Sequence, residues 1–170
     1  MGVKYVFGVP SGGWVDYMEA LRKADGIEFV LTTHEGGAGM MADVCGRLTG
    51  KPGACFGTFG PGATNLATGV GEALLDRSPV IAFTDEMPAA MRGPHHADGH
   101  RPSGAVPPAD QEDDASARRR GEVDSVRRRA RCARRRGPGP VHVGLPVGMS
   151  ALEAVKEERR VLAAVARQAR

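Results

Sequence analysis

Short apolar runs alternate with amphipathic stretches along the first ninety residues. Tyr5-Val6-Phe7-Gly8-Val9 stops at Pro10 and the Gly12-Gly13 pair, which predicts a buried strand followed by a turn. Trp14, Tyr17, Met18 and Leu21 then recur at helical spacing. Ile27 to Leu31 predicts a second strand. Residues 35–49 suit a helix rich in Gly36, Gly37, Ala38, Gly39 and Ala42, small residues that let another backbone approach closely. Ala54 to Gly57 reads as a third strand, and Gly60-Pro61-Gly62 turns into a helix running to about Leu75. Pro79 to Phe83 and Pro140 to Pro146 supply a fourth and a fifth strand. Strands alternating with helices of roughly 10–15 residues predict an α/β fold, a parallel sheet flanked by helices on both faces.

Between about Arg92 and Arg120 no period of either kind survives, and Pro, Gly, His, Asp, Ser and Arg crowd together. On composition this stretch is an irregular insert. It also has the residue usage of a GC-rich gene translated in a shifted frame. Protein-derived peptides covering 95–120, together with a confirmed reading frame, would dispose of that idea. A basic helix is expected from Glu122, with Val123, Val126 and Ala130 on one side. The predicted division is one domain over 1–150, interrupted at 92–120, and a linker helix or tail over 151–170. No internal repeat is found.

The 170 residues suffice for one domain with a real core. Of these, 41% are hydrophobic, yet there are only five Phe, two Tyr and one Trp, so that core must be aliphatic. No apolar run reaches the roughly 18 residues of a membrane span, and the N-terminus lacks the pattern of a signal peptide. Cys45, Cys55 and Cys132 are widely spaced and odd in number, which gives neither a disulfide framework nor a metal motif. A cytoplasmic setting is therefore expected. Residues 118–136 hold ten of the 23 basic residues and only two acids, Glu122 and Asp124. The rest of the chain has thirteen basic and eighteen acidic residues and is net acidic, so the overall +3 describes one segment.

Two places carry candidate chemistry. Thr33-His34-Glu35-Gly36 puts an acid just after a strand, at a helix N-terminus, where free backbone N–H groups and the helix dipole favour a carboxylate. Taken alone, Glu35 reads first as an ordinary N-terminal cap. Gly57-Thr58-Phe59-Gly60-Pro61-Gly62-Ala63-Thr64-Asn65 is a glycine-rich strand-to-helix turn, suited to a phosphate or to a ring approaching the backbone, or simply a tight connection. Neither GxGxxG nor GxxxxGK[ST] occurs, so a nucleotide-binding reading has little support. The Arg-rich run 118–136 lacks interleaved aromatic residues and any recognised nucleic-acid motif, which argues against nucleic acid as a partner. His95, His96 and His100 have no partner cysteine and no ordered scaffold for a metal, and His142, on a strand, is read as structural.

The run Gly2 to Pro10, His34-Glu35-Gly36-Gly37-Ala38, Met41-Ala42-Asp43, Gly46 to Gly53, Gly60 to Asn65 and Leu75-Asp76-Arg77-Ser78-Pro79-Val80, with Gly137 to Pro146 later, closely resembles the N-terminal, pyrimidine-binding domain of acetolactate synthase-like thiamine-diphosphate enzymes. The resemblance covers about residues 2–91 and 137–150. It implies that Glu35 is the catalytic acid that hydrogen-bonds a pyrimidine ring nitrogen of thiamine diphosphate and activates the cofactor. Gly60, Pro61, Gly62 and Asn65 would then lie beside the pyrimidine, with Pro10 and Gly12 also near the cofactor. The implied reaction is decarboxylation or carboligation of a 2-keto acid, in an active site formed between two domain types of a homo- or hetero-oligomer.

The sequence also departs from the family. Acetolactate synthases often read Gly-Gln or Gly-Glu after the fourth strand, where this chain has Thr84-Asp85-Glu86-Met87-Pro88, a difference expected to bear on substrate contacts. Members hold the diphosphate and its Mg²⁺ through a Gly-Asp-Gly motif in a separate domain. None occurs here, so no metal site is assigned to this chain and the ion is expected on another domain or chain. Three readings stay open at this point. The chain is a truncated or frame-damaged acetolactate synthase-like protein, inactive alone; or the small subunit of a two-chain decarboxylase of the sulfopyruvate type; or a noncatalytic protein that uses the Arg-rich segment on nucleic acid.

Overall fold

The structure, a computed structural model, describes residues 2–86 and 138–146. In these residues five strands form one wholly parallel sheet: β1 (Tyr5–Gly8), β2 (Glu28–Leu31), β3 (Gly53–Gly57), β4 (Val80–Glu86) and β5 (Val141–Pro146). They lie in the order β2-β1-β3-β4-β5. Between them run a 3-10 turn at Gly12–Trp14 and the helices α1 (Val15–Lys23), α2 (Glu35–Thr49) and α3 (Pro61–Leu75). The predicted α/β fold is what is found. The stretch 92–120, the helix expected from Glu122, the Arg-rich run, the three clustered histidines and the 151–170 tail lie outside the described residues.

The centre of the sheet is buried on both faces, as in parallel sheets covered by helices, whereas the edge strand β2 has no buried residue. Every residue of β3 is buried. On one face Cys55, Val80 and Ala82 meet Ala38 and Ala42 of α2 and Leu66, Val70 and Ala73 of α3. On the other, Val6, Ala54 and Phe56 pack with Trp14, Tyr17, Met18 and Leu21. The aromatic content concentrates there, with Trp14 stacked on Phe56 at 4.1 Å between ring centroids.

The small residues of α2 do what their composition predicts. A Cβ built on Gly39 would lie 2.9 Å from the Gly69 Cα, so α2 and α3 touch backbone to backbone at a glycine pair. Their C-terminal ends are joined by Arg47, which pairs with Asp43 at 2.9 Å and with Asp76 at 2.6 Å. Helix α2 ends at Gly50, in the left-handed conformation that glycine adopts without a Cβ penalty.

Strand order also locates a crevice. The chain leaves β1 toward one edge to form β2, whereas it leaves the adjacent β3 toward the other edge to form β4. Loops following two such strands diverge at their carboxyl ends, and that opening is where open α/β sheets bind ligands.

Candidate active site

Glu35 is the first residue of α2, and its position rests on the residue before it. The His34 side chain caps the helix, with Nδ1 accepting from the Gly36 N–H at 3.0 Å. The Thr32 hydroxyl donates to the His34 carbonyl at 3.2 Å. The capping role that Glu35 was suited to is thus filled by His34, leaving the Glu35 carboxylate available for another partner. That partner is Asn65, whose Nδ2 donates to Glu35 Oε2 at 3.1 Å.

Asn65 comes from the first turns of α3. This helix starts at Pro61, whose fixed φ and missing N–H suit a first helical position. Gly60 precedes it at φ 69° and ψ −123°, a backbone that glycine reaches readily. Where side chains would crowd the carboxylate there are none. A Cβ on Gly57 would stand 3.3 Å from Glu35 Cγ, and one on Gly62 would stand 3.3 Å from Glu35 Oε1. Oε1 accepts no hydrogen bond among the described residues, so one carboxylate oxygen is tied and the other is open to a donor.

The expected site residues therefore divide into two groups. Glu35, Gly60, Pro61, Gly62 and Asn65 are brought together at the facing N-termini of α2 and α3. Pro10 and Gly12 lie in the loop after β1, across the switch point, and a Cβ built on Gly12 meets nothing within 4 Å. What joins their loop to the glycine turn is a residue that the sequence reading linked only to substrate contacts. Asp85, at the carboxyl end of β4, is fully buried. Its Oδ2 accepts from the hydroxyls of Ser11 at 3.4 Å and Thr58 at 3.3 Å, and its Oδ1 accepts from the Phe59 N–H. Burial pushes the Asp85 carboxyl above the ordinary carboxylate range. The Phe59 N–H, the Thr58 hydroxyl and the neighbouring Trp14 indole N–H act in the opposite direction. That indole nitrogen is itself buried and, among the described residues, outside hydrogen-bond geometry to any partner. His142 lies on β5, as expected of a strand residue, with its Nε2 2.8 Å from the Thr84 hydroxyl on β4.

Residues 1–110 match a family model described as thiamine pyrophosphate enzyme, N-terminal TPP binding domain. The chain belongs to that family. Three relatives illustrate the likeness within the thiamine pyrophosphate enzymes. A probable acetolactate synthase large subunit of Methanocaldococcus jannaschii is 36% identical over 145 residues, 85% of this chain and 24% of that protein. Acetolactate synthase isozyme 2 large subunit of Escherichia coli is 48% identical over 92 residues, 54% of this chain and 17% of that protein. The chloroplastic acetolactate synthase of Arabidopsis thaliana is 44% identical over 92 residues, 54% of this chain and 14% of that protein. The chain thus spans about a quarter or less of the length of the curated relatives it matches. Among the described residues no helix is long and apolar enough to cross a membrane.

The residues present fit the cofactor that the family name specifies. A flat heterocycle needs side-chain-free backbone to approach, and Gly57 and Gly62 provide it beside Glu35. A ring nitrogen needs one oriented carboxyl oxygen, and Asn65 fixes that carboxyl while leaving Oε1 open.

Proposed function

We propose that this chain supplies the pyrimidine-binding half of a thiamine-diphosphate-dependent enzyme that decarboxylates a 2-keto acid or joins it to a second carbonyl compound. When bound, thiamine diphosphate supplies a carbon nucleophile and an electron sink for that chemistry. The observation that carries the reading is the Asn65–Glu35 hydrogen bond, which orients a carboxyl at a helix start beside two glycines.

Each residue has a role in this reading. Glu35 Oε1 would hold or release a proton toward a ring nitrogen of the bound pyrimidine. Asn65 holds the carboxyl in the rotamer that makes this exchange possible. Gly60, Pro61 and Gly62 would hold one side of the ring, with Pro10 and Gly12 on the opposite side of the crevice. The diphosphate and its Mg²⁺ belong to a second domain type, on a separate domain or chain of a homo- or hetero-oligomer. The two described cysteines, Cys45 and Cys55, are free, which agrees with a cytoplasmic protein.

The test is to combine the chain with a complementary subunit that carries Gly-Asp-Gly and to follow pyruvate consumption with thiamine diphosphate and Mg²⁺. Glu35→Gln keeps the shape and removes the acid. It is expected to lower turnover by at least about 100-fold, the usual worth of a positioned proton donor or acceptor. Undiminished turnover by this variant overturns the reading.

A further inference from the structure

The two loops at the switch point come from distant parts of the sequence, yet one carboxylate reaches both. Asp85 lies 74 residues from Ser11 and 26 from Phe59, and it bonds to each. We propose that Asp85 is a positioning residue that fastens the loop after β1 to the turn after β3, so that the two sides of the crevice keep a fixed spacing. This deepens the cofactor reading above, because these loops carry Pro10, Gly12, Gly60 and Gly62.

The chemistry of the neighbourhood calls for an acceptor. Three donors converge on it: the Ser11 hydroxyl, the Thr58 hydroxyl and the Phe59 N–H. A carboxylate offers two oxygens with about four lone-pair sites and donates nothing, so it can satisfy all three at once. The place where it grips matters as much as the number of bonds. Phe59 immediately precedes Gly60, which is the N-cap residue of α3 and makes no side-chain cap. The turn therefore lacks the usual side-chain fastening at a helix start, and the Asp85 bond to Phe59 supplies one from across the sheet. From there the link continues covalently through Gly60 and Pro61 to Gly62 and Asn65, and through Asn65 to Glu35. The hydrogen-bond partners of Asp85 are Ser11, Thr58 and Phe59, none of them among the residues assigned to the pyrimidine. It acts through the backbone that carries them.

Amide hydrogen exchange by NMR on the full chain, without cofactor, tests this directly. Asp85→Ala is expected to raise exchange at the Phe59 amide by at least about tenfold, as loss of a hydrogen bond to a charged group implies. Asp85→Asn retains an acceptor for that amide and is expected to restore most of the protection. Unchanged protection of Phe59 in Asp85→Ala overturns the proposal. So does an equal loss at the strand amides of Ala54 and Ile81, which marks general destabilisation instead of a local fastening. If Asp85→Ala does not fold, Asp85→Asn decides alone. Its Phe59 amide proton is expected to move upfield as a neutral acceptor replaces a charged one, and an unmoved signal overturns the proposal. These readouts need neither cofactor nor turnover, so their failure is distinct from failure of the Glu35→Gln test.

Discussion

Asn65 donates its side-chain amide to Glu35 across 3.1 Å, joining the first turn of α2 to the start of α3. The two residues are 30 apart in sequence, and each sits where a helix begins. Helix starts present unpaired N–H groups and favour acidic partners, so a carboxylate there has several possible acceptor roles. Asn65 and the His34 cap together narrow these to one orientation.

Asn65→Ala removes that constraint without touching the acid. Turnover of the assembled enzyme is expected to fall roughly 10- to 100-fold, the rate equivalent of a hydrogen bond to a charged group of about 1.5–3 kcal/mol. The stability of the chain should change little, because Asn65 is only half-buried. Steady-state kinetics alongside urea denaturation checks both parts, and a large stability loss with unaffected turnover contradicts the assignment.

Two glycines on α3 should respond in opposite directions to the same substitution. A Cβ on Gly69 would lie 2.7 Å from the Gly39 Cα and the Met40 nitrogen, both backbone atoms that cannot step aside alone. Gly69→Ala is therefore expected to destabilise by about 1–3 kcal/mol through overpacking. A Cβ on Gly71 meets nothing within 4 Å. Gly71→Ala should stabilise by roughly 0.5–1 kcal/mol, because alanine loses less conformational freedom in a helix. Urea unfolding of the full chain measures both.

Local signals account for what the sequence made legible. The bounds of α2 follow from residue types at its ends, a strand before His34-Glu35 and a left-handed Gly50 after Thr49. The glycine pair that joins α2 to α3 was visible as a run of small residues, although its partner on α3 was not. Strand β4 was underestimated, since its apolar run ends at Phe83 whereas its pairing with β5 continues through Asp85 and Glu86, opposite Leu145 and Pro146. That extension depends on a neighbour more than fifty residues away and leaves no mark in the local pattern. Glu35 and Asn65 stood out because each lies in a helix-start motif. Asp85 stood out only as a departure from the family pattern, since its bonds come from two donor-bearing loops that only the strand order brings together.

The Asp85 carboxyl should also be visible in the pH dependence of stability. Its folded pKa is raised above the ordinary 3.8, with burial as the main cause. No basic side chain pairs with it among the described residues. The folded state then binds the proton more tightly than the unfolded chain does. The associated stability is complete below the ordinary value and is lost as pH rises through the folded pKa. Asp85→Asn cannot titrate and lacks this component. Urea midpoints measured from pH 3 upward should show the variant gaining on the native sequence as pH rises, then a constant difference at neutral pH. A difference that stays flat across the acid range contradicts the assigned shift.

Thiol chemistry offers a test of the core itself. Cys55 sits in β3 with its Sγ 4.0 Å from the Ile81 carbonyl, fully buried between α2 and α3. Burial alone pushes its thiol up to about 12, because the thiolate is the form that the apolar surroundings disfavour. The thiolate is the reactive species, and both its formation and a reagent's access require the sheet to open. Cys45, on α2, is half-buried and does not share that environment. Iodoacetamide at neutral pH should therefore modify Cys45 in the native chain, while Cys55 reacts only after urea unfolding, as followed by peptide mass mapping. Rapid labelling of Cys55 under native conditions would show that the helices do not close over β3, and with them would go the facing helix starts on which the Glu35 site depends.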